Sequence, residues 1–273
     1  MTGISMRAIL LITALSLPAP LPAETITLLS DPWCPFACDL SNPQPGYMVE
    51  IARAVFEPLG HHIQYRVVPF ARAEQEVLAG RAHGFVGVLK LPRRMSFHFP
   101  KEEQGLARVC FFTLPDMNWR YQGADSLKGL RVGSASGYSY GNEIDAVLHS
   151  RGTKLDAVSG NNALQLNLEK LGRHRVDVVV EYAPVMAYML THSDMELKNA
   201  GCSSGADPLY IAFSPRQPNS RLYAKQLSAG MERLRRNGKL TQILTRYGLS
   251  DWKLASTSTM PSNKPPSRGK ATE

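Results

Sequence analysis

The chain has 273 residues, 44% of them hydrophobic and 20% charged, with a formal net charge of +8, 21 Gly, 19 Pro and 4 Cys. Such a composition can bury a large core, and it excludes a chain disordered throughout, a collagen-like repeat, a coiled coil and a small disulfide scaffold. Above roughly 250 residues chains tend to split, so two moderate cores are expected.

Met1 to Ala23 carries one early charge, Arg7, then an apolar run from Ile9 to Leu17 and a Pro-rich end that closes on the small residue Ala23. That is the order of a secretory signal peptide. The apolar run is about half of the roughly 20 residues a membrane-spanning helix needs, and the prolines that follow it oppose a buried helix. Cleavage near Ala23 and export to the periplasm are expected. No later segment is apolar enough to span a bilayer.

Thr25 to Ser30 then reads as a strand, followed by a loop rich in Pro and Cys. From Tyr47 to Leu59 apolar residues recur at Met48, Ile51, Val55, Phe56 and Leu59 with helical spacing, and Gly60 suits the stop. Ile63, Tyr65 and Val67 alternate as in a strand. The alternation repeats with a helix from Phe70 to Ala79 closed by Gly80, a short strand from Gly84 to Leu89, and strands at Arg108 to Leu114 and Leu130 to Ala135. It continues with a helix from Asn142 to His149, a strand from Leu155 to Ser159, a helix through Leu164, Leu168 and Leu171, and the run Val176 to Val180. Leu209 to Phe213 reads as the last strand, and two helices follow, one through Leu222, Leu227, Met231 and Leu234 and one through Leu240, Ile243 and Tyr247. Strands alternating with helices of this length define an α/β chain of mostly parallel sheets flanked by helices. From Lys253 to Glu273 only Leu254 and Met260 are large and apolar, so a disordered tail is expected.

Without the signal and the tail, 26 basic and 22 acidic residues remain, about +4. The densest basic run, Arg233, Arg235, Arg236 and Lys239, has no interleaved aromatic residue on which a base would stack. It reads as a solvated helix face, and no nucleic-acid partner is expected.

Four cysteines in an exported chain imply two disulfides. Three pairings are open; Cys34 with Cys38 would close a small loop around Pro35, which leaves Cys110 with Cys202. A lone Cys-x3-Cys without a nearby His does not complete a zinc site. No H-E-x-x-H, Walker or G-x-G-x-x-G pattern is present, so neither metal nor cofactor is expected. Gly133-Ser134-Ala135-Ser136-Gly137 falls short of a nucleophile elbow because Ala135 holds the central position. This turn is either a tight strand-to-helix connection or an anion site made by backbone N–H groups with the hydroxyls of Ser136 and Ser139.

Trp33 and Phe36, in the Cys-rich loop, suit either a ligand wall or core packing. Arg93 and Arg94 follow Pro92, where an arginine can grip a carboxylate with two prongs or simply face solvent. Glu181 ends the run Val178-Val179-Val180, at the carboxyl edge of a parallel sheet where open α/β folds bind ligands. Alternatively it caps the helix beginning near Ala183.

Gly46-Tyr47-Met48-Val49-Glu50-Ile51 is similar to the first-helix segment of the periplasmic solute-binding proteins of the amino-acid type, the extracellular solute-binding protein family 3. Pro69-Phe70-Ala71-Arg72, Leu91-Pro92-Arg93-Arg94 through Phe97, Asp177 to Glu181, and Gly238-Lys239-Leu240 through Tyr247-Gly248 resemble further segments of that family in the same order. The resemblance covers about Ile26 to Trp252. It implies a type II periplasmic binding fold of two lobes joined by two crossover strands and closing on a ligand. The first lobe would hold residues 24–112 and 213–252, the second 113–212.

Carried across by position, Arg94 resembles the arginine that grips an α-carboxylate, and Ser136, Tyr138 and Ser139 resemble the helix-start donors that share it. Glu181 falls at the acid for an α-ammonium, Trp33 and Phe70 fall at the aromatic wall, and Arg72 stands beside Phe70 in its segment. Two positions depart from the family pattern: Leu89 replaces a small hydroxyl residue, and Glu181 is one methylene longer than the usual aspartate. The implied protein is a monomeric binder, not an enzyme, of a small polar ligand such as an amino acid or related carboxylate, with an ABC permease and ATPase as partners. A dehydratase-like enzyme on the same scaffold would need a second carboxylate beside Glu181, and a receptor for a membrane sensor is the other alternative.

Overall fold

A computed structural model describes residues 24–255, so the signal peptide expected at 1–23 and most of the expected tail lie outside the described residues. The first sheet combines β1 (Thr25–Ser30), β2 (His62–Val67), β3 (Gly84–Val88), β4 (Gly105–Ala107) and β10 (Asp207–Phe213) in the order β2-β1-β3-β10-β4. The second combines β5 (Val109–Thr113), β6 (Arg131–Ala135), β7 (Lys154–Val158), β8 (Val178–Tyr182) and β9 (Lys198–Cys202) in the order β7-β6-β8-β5-β9. In each sheet three strands run parallel, β2-β1-β3 and β7-β6-β8, while β10 and β5 pair antiparallel to their neighbours. The antiparallel members are the strands on which the chain enters or re-enters a lobe, where no helical crossover dictates direction. The chain changes sheet at Arg108 and again between Cys202 and Asp207, whereas the family resemblance implies crossings at about 112 and 213.

The helices follow their apolar spacing. α1 (Tyr47–Phe56) buries Met48, Val49, Ile51, Ala52, Val55 and Phe56, and its exit ends on Gly60 at φ 88. It packs on α6 (Ser220–Arg236), where a Cβ on Gly230 would lie 2.4 Å from Val55 Cγ2, so this crossing requires a residue without a side chain. α2 (Phe70–Leu78) covers one cluster of Phe70, Phe85 and Phe97. In the second lobe α3 (Asn142–Leu148), α4 (Ala163–Gly172) and α5 (Ala183–Leu190) flank the sheet, and Leu168, Leu171 and Met186 join Phe112 in a separate cluster. Each such side chain contributes roughly 1.5–3 kcal/mol when fully buried.

Two short edge strands escape the sequence reading. β4 has three residues, and β9 (Lys-Asn-Ala-Gly-Cys) carries no run of β-branched residues. β9 is held to β5 by backbone pairing and by the disulfide Cys110–Cys202, which joins residues directly opposite each other. At the other end, α7 (Lys239–Thr245) and α8 (Trp252–Ala255) close the first lobe. Arg235 Nε donates to Asp251 Oδ2 at 2.7 Å and Lys253 pairs with Glu102. The first three residues of the expected tail, 253–255, are therefore helical; the remainder lies outside the described residues.

Candidate functional site

The carboxyl ends of β1, β3, β6 and β8 meet between the lobes. After β1 the chain turns back so tightly that Trp33 and Ala37 exchange backbone bonds at 2.6 and 3.1 Å, and the disulfide Cys34–Cys38 closes the same loop. Trp33 is thereby presented to the second lobe. Its ring stacks on Phe36 at 4.3 Å and meets Tyr182 edge-on at 5.2 Å. Behind it stands Gly87, at φ +80, where a Cβ would lie 2.8 Å from ring carbon Cζ3.

Phe70 opens α2, and the Arg94 guanidinium lies 5.2 Å from its ring centroid. Arg94 is 1% exposed and pairs with Glu74 by two prongs, Nε to Oε1 and Nη2 to Oε2, each at 2.8 Å. From the second lobe Tyr138 meets Phe70 at 5.2 Å and donates its hydroxyl to Asp31 Oδ2 at 2.5 Å. The cavity bounded by Phe70, Leu89, Arg94, Tyr138, Ser139 and Tyr182 has a volume of about 20 Å3, room for about one water molecule.

A second cavity, of about 1030 Å3, shares Asp31, Trp33 and Tyr138 with the first. Its walls come from Asn42 and Gln44 in the first lobe and from Asn162, Val185, Tyr188 and Met189 in the second. Asn42 Nδ2 donates to the Tyr188 hydroxyl at 2.7 Å across the gap. Glu181 lines this cavity and is 3% exposed; its Oε1 accepts from Trp33 Nε1 at 3.2 Å and from the Tyr182 N–H at 2.7 Å. Burial pushes the Glu181 carboxyl up to about 7, with the Asp31 carboxylate adding to the rise. Burial likewise raises Asp31 to about 6, against the Tyr138 hydrogen bond that lowers it. Among the described residues neither acid has an ion pair to a cation, and no group of His, Cys, Asp and Glu is placed to hold a metal.

Of the residues singled out by sequence, Trp33, Phe70, Arg94, Tyr138, Ser139 and Glu181 are brought to these two cavities. Arg72 is not. Its side chain is 66% exposed and paired with Glu76, because it points off the outer face of α2. Ser136 borders neither cavity, and its N–H bonds the Val158 carbonyl at 2.8 Å. The turn read as either a tight connection or an anion site already has donors taken by the protein itself: Asp145 accepts from the Ser139 hydroxyl and, at 2.8 Å, from the Tyr140 N–H. Arg93 is exposed and Phe36 packs behind Trp33. Sequence reasoning missed Asp31, although it directly follows β1 at the carboxyl edge where Glu181 lies near the end of β8; the carboxyl-edge rule would have found it.

No family model matches the chain, and no curated protein sequence matches it. Solved structures do. A variant of ArgBP from T. maritima superposes with a TM-score of 0.70 at 16% identity, over 83% of this chain and 95% of that one. A histidine kinase sensor domain with similarity to periplasmic binding proteins gives 0.70 at 20% identity, over 83% and 97%. The amino acid ABC transporter substrate-binding protein AbpA from Streptococcus pneumoniae, bound to L-arginine, gives 0.67 at 20% identity, over 82% and 94%. At these identities the likeness establishes the fold: two lobes of the type II periplasmic-binding-protein architecture.

Proposed function

We propose that the chain is an exported, monomeric solute-binding protein that captures a small polar solute, an amino acid or a related molecule, between its lobes and delivers it to an ABC permease and its ATPase. The observation that carries this reading is the meeting of Asp31 from one lobe with Glu181 from the other in a single cleft, both buried and neither paired to a cation among the described residues. A buried, unpaired carboxylate is unfavourable. A positively charged group on a guest relieves both acids, and it does so only when the lobes come together, so binding favours closure. Trp33, Phe70 and Tyr138 supply the aromatic wall. The neighbour AbpA is an amino acid ABC transporter substrate-binding protein bound to L-arginine, which is in keeping with this role.

A thermal-shift screen of amino acids, amines, organic acids and sugars tests the reading, since a guest at 100 times its Kd adds about 2.7 kcal/mol of stability. At least one class is expected to shift the melting temperature, and Glu181→Gln to reduce that shift. The absence of any response would sink the proposal. Two other readings each rest on an observation. The sensor-domain likeness suits a receptor that signals to a membrane partner. The Asp31–Glu181 pair, with both carboxyls raised, suits acid–base chemistry. Mass spectrometry of the incubated hits separates binding from turnover, and any product would favour the enzyme.

A further inference from the structure

Resting on the solute-receptor reading above, we infer that the guest is an organic cation, held by a positively charged nitrogen between Asp31 and Glu181 with its body in the 1030 Å3 cavity, and that it needs no carboxylate.

Three features carry this. Both places where a carboxylate would be gripped are already filled by the protein's own acids. Glu74 takes two prongs of Arg94, and Asp145 takes the Ser139 hydroxyl and the Tyr140 N–H. Arg94 also lies behind Phe70 and Tyr138 on a cavity of about 20 Å3, which has no room for a further carboxylate. The large cavity, by contrast, is lined among the described residues by Asp31, Asp39 and Glu181, with His192 its one basic residue and no Lys or Arg. Its field favours positive charge.

The chemistry of the walls agrees. Glu181 makes both of its bonds through Oε1, which leaves Oε2 to accept from an N–H of the guest. Trp33, Tyr138 and Tyr188 also line the cavity, and aromatic rings attract cations. The volume stands at the upper end of the roughly 300–1,000 Å3 typical of sites for drug-sized ligands, more than a free amino acid fills. A primary amine, amidine or guanidine on an extended or aromatic body fits these conditions.

The test is calorimetric titration of the mature protein with matched pairs that differ only by a carboxylate: agmatine and L-arginine, cadaverine and L-lysine, tyramine and L-tyrosine. Glucose and succinate serve as neutral and anionic probes. In at least one pair the amine is expected to bind tenfold or more tighter than its amino acid, with Glu181→Gln and Asp31→Asn each weakening it at least tenfold. A smaller or reversed ratio in every pair, unchanged affinity in both variants, or binding only of glucose or succinate overturns the cation assignment while leaving the receptor reading intact. Failure of every compound to bind overturns both.

Discussion

The two cavities share Asp31, Trp33 and Tyr138 and treat charge in opposite ways. In the small one, Arg94 is matched by Glu74 from α2 of the same lobe, and the pair forms with no contribution from the second lobe. In the large one, Asp31 and Glu181 come from different lobes, and their hydrogen-bond partners are the neutral donors Tyr138, Trp33 and the Tyr182 N–H. A charge compensated inside one lobe belongs to that lobe's stability. Charges left uncompensated where the lobes meet respond to whatever enters between them, and that is where specificity can reside.

The largest effect that would break this contrast is on the Arg94–Glu74 pair. Arg94→Ala strands Glu74 and opens a buried gap, and unfolding in urea is expected to become easier by about 3 kcal/mol. A loss under about 1 kcal/mol would show that the pair is not a structural element. Glu181→Gln is expected to do the reverse in the unliganded protein. Glu181 has its carboxyl raised from 4.5 to about 7 in the folded state, so that state holds the proton more tightly than the unfolded chain. The stability this contributes is complete below about pH 4.5 and lost as pH rises to about 7. Gln preserves the acceptor for Trp33 and Tyr182 while abolishing the titration. At pH 8 the variant should be more stable than wild type on the order of 2 kcal/mol, with a flatter melting temperature between pH 5 and 7.5. Identical pH profiles would remove Glu181 from the account.

Smaller effects sharpen the comparison. Gly87→Ala places a side chain on a residue at φ +80 and against the Trp33 ring. A loss of about 1–2 kcal/mol should accompany a change in tryptophan fluorescence, because Trp33 forms part of both cavities; an unaltered spectrum would argue that the ring has room to move. Arg72→Ala should change stability by no more than about 0.5 kcal/mol and leave solute affinity untouched, since the side chain faces solvent. A marked loss of affinity would restore Arg72 to the site.

Local patterning made much of the framework legible. The strand from Thr25 to Ser30 and the helices from Tyr47, Phe70 and Asn142 begin where the spacing of apolar residues places them. β4 and β9 were not legible, because they are edge strands formed by pairing and, in β9, by the bond between Cys110 and Cys202. The candidate site was legible as a set of places more than as a set of roles. Trp33, Phe70, Arg94, Tyr138 and Glu181 meet at the cleft. The partner of Arg94 lies 20 residues earlier on a helix whose outward face looked ordinary, and Asp31 drew no notice beside the cysteine-rich loop that follows it.

The amino-acid order alone determined the alternation of strands and helices, the α/β class and the presence of acids and aromatics at strand ends, since each of these follows from backbone periodicity over a few residues. Only the tertiary structure decided which charges neutralise one another. Glu74 reaches Arg94 and Asp145 reaches Ser139 because packing puts them there. Asp31 and Glu181, 150 positions apart in the chain, are left to share a cleft because the sheets that carry them end on opposite sides of it. Electrostatic compensation acts through space between groups that packing brings together, so it cannot be read from neighbours in the chain.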